Sequence, residues 1–296
     1  MKLGTILTAM ITPFDANGDV HAAEAARLAR WLVERANDGL IVAGSTGEGQ
    51  TLTPRERTTL IEAVKDAVNG RAAVVANAGS NDTRESVAAA LEAEKAGADA
   101  LLVVVPYYNK PTQSGMLAHF GAVAQATALP IVVYNIPSRT GSNMLPETLL
   151  ELARRHSNII AVKESSGDMM QISTILADRP DRFAVYSGDD HLFLPCLALG
   201  AQGVVGVASH LCSPQYRALC DAFKRGDVAT AAQIHCELIP LMRGLFAVTN
   251  PIPVKWAMRR LGFDAGECRL PLDAMPEALA DRLAPLVDAY REGVGA

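Results

Sequence analysis

Apolar residues in this 296-residue chain follow two alternating patterns. Short runs of β-branched and aliphatic residues recur at 6–10, 40–44, 73–77, 101–105, 131–134, 159–163, 184–187 and 204–207. Each run is apolar almost throughout, not at every second position. Runs of that kind mark strands covered on both faces, as in a parallel sheet. Between them, apolar residues return every three to four positions. That spacing predicts helices over 21–36, 54–68, 82–95, 112–127, 145–156, 168–177, 191–199 and 213–224.

The boundaries agree with the pattern. Pro54 follows Thr53, Thr83 precedes Glu85, and Pro214 follows Ser213, all residue types favoured where helices start. Asp38-Gly39, Ala96-Gly97 and Leu199-Gly200 put glycine where a left-handed helix stop is needed. Eight strand–helix units in series, joined by right-handed crossovers, close into a (β/α)8, or TIM, barrel. An open doubly wound sheet uses the same alternation, but no dinucleotide-binding glycine fingerprint follows the first strand. Beyond Gly226 the strand pattern stops, and helices are predicted over 227–246, 253–261 and 276–290. The chain therefore reads as an α/β barrel domain over 1–226 and a small C-terminal all-α domain over 227–296.

Composition narrows the function. The net charge of −5 offers no basic face for nucleic acid. No run of about 20 apolar residues spans a membrane, and the short apolar stretch near the N-terminus breaks at Thr12-Pro13. Cys196, Cys212, Cys220, Cys236 and Cys268 are odd in number and have no metal-ligand spacing, which points to packing in a reducing cytoplasm. The histidines are scattered without HExxH spacing, so no metal site is expected.

In such a barrel, chemistry sits where strands end and the following loops begin. The second strand leads into GSTGE, with Ser45 and Thr46. The fourth leads to Tyr107 and Tyr108. The fifth ends in YNIPSRTG, with Tyr134, Asn135 and Arg139. The sixth ends in Lys163 and Glu164, and the seventh in SGDD, with Gly188. All of these are expected to ring one mouth. GSTGE lacks P-loop spacing, but its amides and hydroxyls suit a carboxylate. Asp189 and Asp190 are adjacent and suit cap or turn roles better than acid–base work.

Each group has an ordinary alternative: a tight turn, a rim tyrosine, a surface arginine, a lysine snorkelling to solvent. Lys163 is the most unusual, because lysine is almost never fully buried without a partner or a use. In combination these groups fit attack of a neutral amine on a ketone. The amine forms a carbinolamine and then an imine, a tyrosine hydroxyl moves protons, and a hydroxyl-bearing loop holds the carboxylate of a 2-oxo acid.

GSTGE, PYYNKP, YNIPSRTG, VKESSGD and NPIPVKWAM occur in the order and rough spacing of the dihydrodipicolinate synthase/N-acetylneuraminate lyase family, which the chain resembles over essentially its whole length. The resemblance implies a cofactor-free, Schiff-base-forming pyruvate lyase on a (β/α)8 barrel with C-terminal helices, assembled as a homotetramer, a dimer of dimers. It implies that Lys163 forms the imine, that Tyr134 relays protons, and that Ser45 and a neighbouring subunit's Tyr108 complete the relay. Ser45 stands where the synthases generally carry threonine. Thr46, Gly188 and the Val205 carbonyl are then substrate-binding positions. Arg139, within SRTG, is implied to grip the carboxylate of aspartate 4-semialdehyde. The implied reaction condenses that aldehyde with pyruvate on the route to diaminopimelate and lysine. Asn81, Glu85 and Tyr107 match a candidate allosteric lysine pocket, near which Pro54 and Arg57 replace the histidines of some lysine-sensitive members. Other pyruvate aldolases of the family, such as an N-acetylneuraminate lyase or a 2-keto-3-deoxy sugar acid aldolase, and a non-enzymatic acid-binding barrel are the competing readings.

Overall fold

The computed structural model describes residues 3–291. Residues 292–296 of the all-α region read from the sequence, and residues 1–2 of the barrel region, lie outside them. Eight strands, β1 (Ile6–Ala9), β2 (Gly39–Val42), β3 (Ala73–Asn77), β4 (Ala100–Val104), β5 (Ile131–Asn135), β6 (Ile159–Glu164), β7 (Ala184–Ser187) and β8 (Gly203–Gly206), pair in parallel in chain order. The barrel closes where Leu7 of β1 lies opposite Val205 of β8.

Alternation along each strand explains why the runs are wholly apolar. Leu40, Val74, Val103, Val133 and Val162 point outward and join one apolar cluster with the helices. Ile41, Val75, Leu102, Val132 and Ala161 point inward and pack with Tyr134, Tyr186 and Val205 inside the barrel. Successive side chains face opposite sides of a strand. Lys163 is two residues beyond Ala161 and Tyr134 two beyond Val132, so both continue the inner columns toward the mouth.

The surrounding helices are α1 (Ala22–Glu34), α2 (Pro54–Val68), α3 (Thr83–Lys95), α4 (Gln113–Ala126), α5 (Pro137–Thr140), α6 (Pro146–Arg155), α7 (Met169–Asp178), α8 (Phe193–Ala198) and α9 (Ser209–Lys224). The predicted start of α2 is present as a full capping box: Thr53 caps the Glu56 amide, and Glu56 bonds back to Thr53. One local expectation needs correction: the left-handed residue after α1 is Ala36 (φ 70°), whereas Gly39 opens β2. A first turn of α9 starts at Ser209, and after a break at Cys212 (φ −110°, ψ 24°) the helix resumes at Ser213-Pro214, where its start was expected.

The C-terminal region is helical: α10 (Val228–Gly244), α11 (Ile252–Arg260) and α12 (Glu277–Asp288). Leu238, Leu241, Met258 and Phe263 from this region belong to the same apolar cluster as the outer barrel. No helix among the described residues is long and apolar enough to cross a membrane. The cysteines are free; Cys196, Cys212 and Cys220 are buried, Cys268 partly so, and Cys236 exposed, so packing accounts for some of them but not for Cys236.

Candidate active site

Lys163 is 6% exposed, and its Nζ stands 4.2 Å from the centre of the Tyr134 ring. The register makes this contact: Tyr134 pairs with Lys163 across β5 and β6, and Lys163 with Tyr186 across β6 and β7. The amine lies over the face of the phenol ring. Gly188, just after β7, is packed against the lysine stem. A Cβ there would come 1.8 Å from Ser165 Oγ and 3.0 Å from Lys163 Cε. Only glycine leaves that space. Ser165 was not singled out from the sequence, yet its buried hydroxyl has no hydrogen-bond partner among the described residues.

Beside Tyr134 opens a cavity of about 510 Å³, lined by Ser45, Arg139, Thr140, Asn77, Tyr107 and Glu85 among others. It brings together Ser45 from the loop after β2, Tyr134 from β5 and Arg139 from α5. The same cavity is also lined by Glu85, Tyr107, Pro54 and Arg57, whereas Asn81 is not on its wall. The Asn81 carbonyl accepts a hydrogen bond from Asn109 Nδ2 at 2.8 Å, and Glu85 accepts one from Ser80 Oγ at 2.7 Å. Tyr108 is 87% exposed with φ 70°, so within one chain it is not gathered with Tyr134 and Ser45. Val205 lies in the barrel interior, 1% exposed.

The hydroxyl loop after β2 is fixed from the C-terminal region. Gly49 folds the loop back so tightly that a Cβ would lie 1.8 Å from the Ala43 carbonyl oxygen. Glu48, in the left-handed region (φ 51°), turns inward. Its Oε1 receives Lys255 Nζ at 2.7 Å, with the two side chains 1% and 2% exposed, and its Oε2 receives the Arg269 amide at 2.8 Å. Burial drives the Lys255 amine below its ordinary value, and Glu48 opposes that shift. Thr46, 3% exposed, accepts a hydrogen bond from Asn250 Nδ2 at 2.9 Å. Arg139 is exposed, and its guanidinium donates to the Asn250 carbonyl at 3.0 Å.

Two residues expected at the mouth are not there. Asn135 and Glu164 follow Tyr134 and Lys163 directly, so alternation turns them to the opposite face. Both are buried against α7, where Glu164 accepts from Asn135 Nδ2, Gln171 Nε2 and the Ser166 amide. No cation among the described residues pairs with Glu164, and burial raises its carboxyl above the usual range despite the donors. Asp190 takes the cap role expected of it: it accepts from the amides of Val207 and Ala208 and from the Tyr216 hydroxyl. Asp189 is pushed up by burial, with His191 and Lys163 pulling the other way.

Fold and site together define a (β/α)8 barrel protein with a strand-end lysine buried at its mouth. The model of the Dihydrodipicolinate synthetase family matches residues 2–289, and the chain belongs to that family. The 4-hydroxy-tetrahydrodipicolinate synthase of Moorella thermoacetica is 52% identical over 272 residues, covering 92% of this chain and 93% of its own. That of Synechococcus elongatus is 53% identical over 270 residues, covering 91% and 90%. Among solved structures, lysine-bound dihydrodipicolinate synthase from Cyanidioschyzon merolae superposes with a TM-score of 0.95 at 44% identity, over 97% of this chain and 98% of that one. A monomeric dihydrodipicolinate synthase variant gives 0.94 at 38% identity, over 99% and 98%.

Proposed function

We propose that this chain is a lyase that condenses pyruvate with L-aspartate 4-semialdehyde to give 4-hydroxy-tetrahydrodipicolinate, in diaminopimelate and lysine biosynthesis. The observation that carries the reading is Lys163, buried at the barrel mouth with its amine against Tyr134. The family and the names of its relatives support the choice of substrates.

Lys163 Nζ attacks C2 of pyruvate, and the carbinolamine loses water to give the imine. A proton leaves C3, and the resulting enamine carbon attacks the aldehyde of the second substrate. The amino group of that substrate then attacks C2, closes the ring and releases the lysine. Water loss, enamine formation and release each move a proton, and Tyr134 with Ser45 carries it, joined by Tyr108 from a neighbouring subunit. Thr46 holds the pyruvate carboxylate, Gly188 leaves room for the adduct, and the Val205 carbonyl faces it. Arg139 grips the carboxylate of the aldehyde with an always-charged fork.

The catalytic unit is the barrel of 1–226, with 227–296 as its helical partner domain, working in the cytoplasm as a homotetramer without a cofactor. The resemblance of the fold to a variant described as monomeric means that assembly must be measured, by sedimentation. The cavity wall at Glu85 and Tyr107, with Asn81 close in sequence, is where the resemblance puts an inhibitory lysine; a neighbour solved with lysine bound supports testing this chain for lysine binding.

Borohydride reduction with pyruvate, followed by peptide mass mapping, tests the mechanism. A reduced pyruvyl group on Lys163 is expected. An unmodified Lys163 rejects the imine chemistry, and turnover of sugar-acid aldehydes in place of aspartate semialdehyde rejects the choice of second substrate.

A further inference from the structure

Thr46 and Arg139 each meet a carboxylate in the proposed reaction, and one residue touches both. Asn250, 5% exposed, donates through Nδ2 to Thr46 Oγ1 at 2.9 Å. Its main-chain oxygen accepts from the Arg139 guanidinium at 3.0 Å. It is distant in sequence from both, and it enters no chemical step.

The direction of the first contact has a chemical consequence. A threonine hydroxyl carries one proton. While the amide NH2 of Asn250 donates into Oγ1, that proton has no claim on it from Asn250 and can be given to an anion. With the amide turned over, Thr46 would donate to Oδ1 and offer the anion only lone pairs. The main chain near Asn250 is anchored, because Lys255, five residues on, holds Glu48 of the same loop in a buried ion pair, while Asn250 Oδ1 has no partner among the described residues. The segment from 250 to 255 thus grips the loop at Thr46 and again at Glu48.

We propose that Asn250 is a positioning residue that aims the Thr46 hydroxyl proton at the pyruvate carboxylate while its main chain docks Arg139 for the second substrate. This rests on the function proposed above. It follows that side-chain changes at Asn250 act on pyruvate binding through Thr46, and that the main-chain contact with Arg139 survives them.

The experiment is steady-state kinetics and borohydride trapping on Asn250→Asp and Asn250→Ala, each also made in a Thr46→Val background. Asn250→Asp keeps the shape but can only accept, so it takes the Thr46 proton and sets a negative charge near the incoming anion. The KM for pyruvate is expected to rise about ten- to a hundredfold in Asn250→Asp, and about tenfold in Asn250→Ala, the scale of one charge-assisted hydrogen bond. In both, kcat and the KM for aspartate semialdehyde should change less than threefold, and Lys163 should still be trapped fully at saturating pyruvate. In the Thr46→Val background, Asn250→Ala should add nothing further. An unchanged pyruvate KM in both single variants overturns the proposal, as does full additivity with Thr46→Val. Failure of the wild type to trap pyruvate would instead overturn the function on which it rests.

Discussion

Replacing Lys255 with methionine keeps most of the side-chain volume and removes one charge from a buried pair. The pair is tight: Nζ lies 2.7 Å from Glu48 Oε1, and both side chains are almost wholly out of water. At an effective dielectric of about 20 the attraction is roughly 6 kcal/mol. Desolvation of the two ions offsets much of it, so the intact pair contributes little net stability. The single variant is another matter, because it strands the Glu48 carboxylate with the Arg269 amide as its remaining donor in that cluster. The expected cost is about 3–5 kcal/mol in unfolding free energy. The double variant Glu48→Gln/Lys255→Met strands no charge and should recover more than half of that. Urea unfolding followed by circular dichroism measures both. Because the loop also carries Ser45 and Thr46, the KM for pyruvate should rise with Lys255→Met as well. A single-variant cost below about 1 kcal/mol, or a double variant no more stable than the single, would refute the argument that the stranded charge is what hurts.

Tyr134→Phe keeps the ring under Lys163 and removes only the hydroxyl, so kcat should fall about 10²- to 10⁴-fold with pyruvate trapping slowed, as single-turnover kinetics would reveal. Gly188→Ala drives a methyl into Ser165 Oγ and the lysine stem, and a drop in the rate of borohydride trapping larger than the loss of thermal stability is expected. Glu164→Gln removes a carboxyl whose folded value is raised above its ordinary 4.5. Between 4.5 and that raised value the native state holds a proton that the unfolded chain releases, so this group's contribution declines as pH rises. The stability of wild type relative to Glu164→Gln should therefore be flat in acid and decline with pH across that window; a constant difference between about pH 4 and about pH 8 contradicts it.

Lys163 was legible because a charge at the end of an apolar run conflicts with its surroundings, and such a conflict has few physical resolutions. The strands were legible for the opposite reason, since both faces of a parallel barrel want the same apolar residues. Asn135 and Glu164 were misplaced because adjacency in sequence means opposite faces on a strand, and the register pairs them with each other behind the mouth. Asn250 left no signal beyond its motif, because its partner Thr46 is 204 residues away and only the closed fold brings them together. Ala36 took a left-handed turn that glycine was expected to make, since the chain turns three residues before β2 begins. Tyr108 was expected to join the relay only through a neighbouring subunit, and within one chain its side chain is exposed.

The fastening of the β2 loop by Lys255, Glu267 and Arg269 also sets an order of events during synthesis. The ribosome finishes all eight strands by Gly206, well before those three residues exist. A nascent chain can therefore complete its sheet while the loop bearing Ser45 and Thr46 is still unfastened. The last of these contacts, from the Arg269 amide, is supplied only in the last tenth of translation, so a message cut short there yields a barrel whose β2 loop is not fully fastened.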